Sequence, residues 1–179
     1  MRRLLLALWL SSCAVSPPPP EVRAAPASPM AAPTPAPNFT DDSPGPPDDP
    51  LWQRAGRADA IDLAALAERE GATGLEAQLG RGGSAGRTAL LALPFAPDAE
   101  LAAGRLCRLA SEVDSPSRPL VLLALHGVLS RPPPGERLDA AGLRRCQELL
   151  RDLAARPALP PSDRDHVAAA RALLEQQLQ

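Results

Sequence analysis

Thirteen of the 23 prolines in this chain of 179 residues fall within residues 14–50. Proline fixes its own φ, removes a backbone donor and pushes the preceding residue away from helical geometry, so no regular element runs through so dense a set. The same stretch carries Asp41, Asp42, Asp48 and Asp49 and almost no branched aliphatic side chains. It cannot bury enough apolar surface to offset its ordering entropy, and we expect it to be disordered. The folded part is thereby confined to residues 51–179, enough chain for one hydrophobic core.

That part reads as helices separated by glycine or proline. Asp49 and Pro50 suit the cap and first position of a helix. Segments follow over 51–57, 60–70, 74–79, 85–93, 99–112, 119–130, 139–155 and 163–178. Thr73 with Glu76, and Ser162 with Asp165, fit the capping box, and Ser84 suits an N-cap. No stretch alternates with period two, so an all-α fold without a sheet is expected. In 139–155, Leu143, Cys146, Leu149, Leu150 and Leu153 recur at intervals of three and four, opposite Arg144, Arg145, Glu148, Arg151 and Asp152. This is the pattern of an outer amphipathic helix. The run Leu120 to Leu129 is apolar nearly all round and predicts a helix covered on more than one face.

Charge narrows the function classes. All 19 basic residues are arginine, and residues 51–179 carry 16 Arg against 16 Asp and Glu. A neutral domain lacks the electrostatic footprint of a nucleic-acid binder and the basic stripe of an anionic-lipid binder. The segment Gly80 to Thr88 has a superficial likeness to a phosphate-binding loop. However, five residues separate Gly80 from Gly86, Arg87 stands where lysine should, and no strand precedes it. We read it as a turn between helices. Asp163 and Asp165 fall in a first helical turn, where unpaired N–H groups favour carboxylates, so with His166 they predict a helix start and not a metal site. His126 lies in an apolar helix and reads as a core or edge histidine; Trp52 reads as a packing anchor. Asn38-Phe39-Thr40 matches a glycosylation sequon, which we take as coincidence. No catalytic constellation, cofactor or metal is expected.

Two sequence patterns carry resemblances. Leu90-Leu91-Ala92-Leu93 and Leu122-Leu123-Ala124-Leu125 each follow an arginine, and Asp98-Ala99 and Asp139-Ala140 start amphipathic helices 41 residues apart, each followed by a helix bearing Arg118 or Arg164. Helix pairs at this period resemble HEAT-like α-solenoid repeats, the alternative being an irregular helical bundle.

At the N-terminus, Met1-Arg2-Arg3 precedes the apolar run Leu4 to Leu10, which at 1.5 Å per residue covers about 10 Å as a helix, too short to span a bilayer. It reads as the core of a signal peptide over residues 1–12. Leu10-Ser11-Ser12-Cys13 resembles the lipobox of bacterial lipoproteins. The resemblance implies diacylglyceryl transfer to the Cys13 thiolate, cleavage between Ser12 and Cys13, and acylation of the new amine. Cysteine suits the role because its thiolate is a strong nucleophile near neutral pH. Two or three acyl chains hold a protein stably where one does not. Ala14, standing where an aspartate would retain such proteins in the inner membrane, implies the outer membrane facing the periplasm.

Residues 13–50 then become a lipidated cysteine and its tether, with an upper reach on the order of 100 Å. Residues 51–179 become a domain held in the cell envelope. There it is expected to act as an adaptor or scaffold for a protein partner. An envelope hydrolase using His126 or His166, or a plain structural tether, are the alternatives. For Cys107 and Cys146, export permits a disulfide, while their apolar helix positions equally suit reduced cysteines.

Overall fold

The structure is a computed structural model that describes residues 36–40, 48–114, 116–131 and 140–178. Among the described residues there are seven α-helices and no strand. They lie in a unit that spans Pro35–Gln179.

Helix α1, Pro50–Ala55, starts as its sequence predicts. The Asp49 carboxylate accepts from the backbone N–H groups of Leu51 (2.7 Å) and Trp52 (3.3 Å), with Pro50 in the first turn, and Trp52 is buried. Helix α2, Ala60–Leu79, joins two segments expected to be separate. It breaks at Gly71, whose φ of 64° and ψ of 176° leave the helical region. The expected Thr73–Glu76 capping box does not restart it. Instead the Asp98 carboxylate, 26 residues away, accepts from the N–H of Ala72 at 2.8 Å.

Helix α3, Gly83–Ala92, begins with Gly82 at the cap position at φ 64°, so Ser84 lies inside the first turn. Pro94 then tightens the chain into a 3-10 turn, Leu93–Phe95. A second 3-10 turn, Ala99–Ala102, leads into α4, Ala103–Glu112. Helices α5, Arg118–Leu129, α6, Ala140–Ala154, and α7, Pro161–Leu178, complete the order. Pro161 opens α7, which places Ser162 within the first turn and not at the cap. Residues 132–139, including Asp139, lie outside the described residues.

The helices pack as three successive pairs, α2 with α3, α4 with α5 and α6 with α7. The pairs are stacked. In one layer the 99–102 turn touches α2 and α4 touches α6; in the other, α5 touches both α3 and α7. Helix α5 is thus central, which explains most of its apolar circumference: Val121, Leu122, Ala124, Leu125, Val128 and Leu129 are all buried, while Leu123 faces solvent. Helix α6 is an outer helix, burying Leu143, Cys146, Leu150 and Leu153 while Arg145, Arg151 and Asp152 face solvent.

Eight described residues of the stretch assigned to the tether, 36–40 and 48–50, belong to this body. Phe39 is fully buried and part of the core cluster. The length and proline content of residues 14–50 hid a single aromatic side chain, Phe39, whose burial contributes about 2–3 kcal/mol.

Candidate functional site

The residues on which the expected lipid anchor rests, Leu10 to Cys13, lie outside the described residues. The other two cysteines are brought together. Cys107 of α4 and Cys146 of α6 form a disulfide with a Cα–Cα distance of 5.4 Å, within the range such a bond needs. Both are almost fully buried. Beside them Ala103, Gly104, Gly142, Leu143, Cys146 and Leu174 line an apolar hollow of about 30 Å³, too small for an organic ligand.

A buried arginine fastens the opposite layer. Arg118, at the start of α5, donates from Nε to the carbonyl of Ala110 (3.0 Å), from Nη2 to that of Val113 (2.7 Å), and from Nη1 to the Asp163 carboxylate at 3.4 Å. The two carbonyls belong to the last turn and cap of α4, which lack partners within the helix. Asp163 is 1% exposed. It therefore serves as the partner of Arg118, while Asp165 is exposed and His166 half-buried. Among the described residues no three His, Cys, Asp or Glu side chains gather as a metal site. Arg164, the expected repeat counterpart of Arg118, is exposed and donates to the carbonyls of Leu159 and Pro157. The half-buried His126 has its Nδ1 3.4 Å from the hydroxyl of Ser130, one turn further along α5.

Near the break in α2, burial pushes the Glu76 carboxyl above its ordinary range; Arg105 and Arg108 oppose this and Asp98 adds to it. At the start of α1, burial is outweighed by the N–H groups of Leu51 and Trp52 and by Arg69, so Asp49 is held below the usual carboxylate range.

Sequence reasoning missed the contact made by residues 38–40. The carbonyl of Asn38 accepts from the N–H of Gly83 at 2.7 Å, and the N–H of Phe39 donates to the buried Ser117 hydroxyl at 3.1 Å. Asn38 Oδ1 accepts from Thr40 N–H, from the Thr40 hydroxyl and from Ser117. The glycines fit this segment. A Cβ on Gly86 would lie 2.8 Å from the Phe39 ring, and one on Gly82 would lie 2.7 Å from the Asn38 carbonyl. The available signal was a lone aromatic among prolines together with an overstocked glycine turn.

Among the described residues, four large apolar side chains face solvent: Ile61, Leu101, Leu123 and Phe95. Phe95 follows Pro94, which lies against Gly127 of α5, one turn beyond Leu123. Comparisons with known families, with curated proteins and with solved structures return no match.

Proposed function

We propose that this chain is a lipid-anchored bacterial envelope protein whose helical domain binds a protein partner as an adaptor or scaffold, without catalysing a reaction. The observation that carries the reading is the buried Cys107–Cys146 disulfide. Such bonds persist in oxidising compartments, and this one fits the export signal and lipobox at the other end of the chain. No described helix is long and apolar enough to cross a membrane, so attachment in this reading rests on the lipid at Cys13. Three stacked helix pairs support a HEAT-like solenoid, an architecture that works by presenting an extended face. Leu101, Leu123 and Phe95 supply exposed apolar area of the kind protein interfaces use.

Labelling with a fatty-acid analogue tests the anchor. Wild type takes up label and Cys13→Ser does not; equal labelling of both refutes it. Crosslinking in the native envelope tests the adaptor. Reproducible trapping of the same protein supports it, and a reproducible absence of trapped protein favours a plain tether.

A further inference from the structure

We infer that Asn38 and Phe39 form a releasable latch, which opens under tension along the tether and lengthens the domain's reach before any helix is disturbed. Two separate sequence features converge on it. The segment supplies a buried ring and a carbonyl. The start of α3 supplies an N–H donor at Gly83 and the missing side chains of Gly82 and Gly86 that make room for both. Ser117, just before α5, closes the seat with its hydroxyl. The glycine turn, which carries no phosphate-loop chemistry, thus acquires a role as the receptor for the chain's own tether.

The mechanical consequence follows from connectivity. A pull arriving from the N-terminal side enters the body at Asn38, ahead of Asp49 and α1. The latch comprises one buried side chain and a few hydrogen bonds, whereas the helical body shares a continuous core, so the latch is the lower-stability unit. Its release frees the chain at Asn38 and Phe39, and the next described point at which the chain is held is Asp49, the cap of α1, eleven residues along. At roughly 3.3–3.6 Å per residue this adds up to about 40 Å of contour. The inference rests on the anchored reading only for the source of the tension.

Single-molecule stretching of the full chain tests it, with handles on the Cys13 thiol and on Gln179→Cys and with the native disulfide intact. Wild type gives a step of less than about 40 Å of contour, the length of eleven residues less the separation they already span, at a force below that of global unfolding. Phe39→Ala and Gly86→Ala lose that step while keeping the later transition. Gly86→Ala blocks the ring's seat yet favours the helix, so it decides alone where Phe39→Ala fails to fold. A wild type without the step, or a step that survives in Gly86→Ala, overturns the latch. If the step is seen while fatty-acid labelling marks wild type and Cys13→Ser equally, the anchor falls and the latch stands.

Discussion

Arg118 donates to three acceptors in two parts of the fold: the carbonyl groups of Ala110 and Val113 at the end of α4, and the Asp163 carboxylate in the first turn of α7. Its side chain is about 10% exposed and that of Asp163 1%, so neither charge can turn to water for compensation. Replacing one partner of such a pair costs far more than the pair contributes, because the survivor is left buried and charged. Arg118→Met is therefore expected to destabilise the domain by about 3–5 kcal/mol, read from the urea midpoint at pH 7. The double variant Arg118→Met with Asp163→Leu should recover part of that loss, although the Ala110 and Val113 carbonyls stay unpaired. A double variant no better than the single one would show that the carbonyl contacts, and not the ion pair, account for the cost.

At the scale of an element, α2 shows how far local pattern reaches. The 3.6-residue periodicity of 139–155 and the uniform apolarity of α5 were legible because each depends on residues within one helix. Asp49-Pro50 was legible for the same reason, since donor and acceptor lie two and three residues apart. The break at Gly71 was legible too, as the gap between the segments 60–70 and 74–79; the cap that fills it was not, because the acceptor for Ala72 is Asp98 and comes from a different part of the chain. Asp98 does stand before the helical turn at 99–102, but no side-chain cap bond forms there, and its carboxylate caps α2 instead. Ser84 and Ser162 were overruled by Gly82 and Pro161, whose backbone constraints moved the helix starts. Asp98→Ala is expected to cost about 1–2 kcal/mol, the usual range for a lost N-terminal cap. Hydrogen exchange provides the sharper check, since the added opening should concentrate at Ala72 and the turn after it, with α5 and α7 amides unchanged.

The whole molecule depends on how the α6–α7 pair is fixed to the rest. In one layer the attachment is covalent, Cys107 to Cys146 between α4 and α6; in the other it is Arg118 to Asp163 between α5 and α7. Neither link was derivable from spacing, because each depends on which helices the stack makes neighbours. The disulfide closes a loop with a sequence separation of 39. In the chain-entropy account, removing such a crosslink frees the unfolded state by roughly 4 kcal/mol, and the native helices hold their contacts. Cys107→Ser with Cys146→Ser should then lower the urea midpoint by on the order of 2 M, taking a slope of about 1–3 kcal/mol/M for a domain of this size. Reductant added to the wild type should reach the same midpoint, but only in denaturant, because the buried sulfurs meet it when α6 leaves α4. The slope separates two meanings of a lower midpoint. A broader transition in the double variant would mean that α6 and α7 melt ahead of α2 to α5, making the disulfide the condition for cooperative unfolding. A slope no lower than the wild type's is the expected result, because the Arg118–Asp163 pair and the contact of α5 with α7 still join the last helix pair to the central one, while the uncrosslinked unfolded chain exposes no less surface.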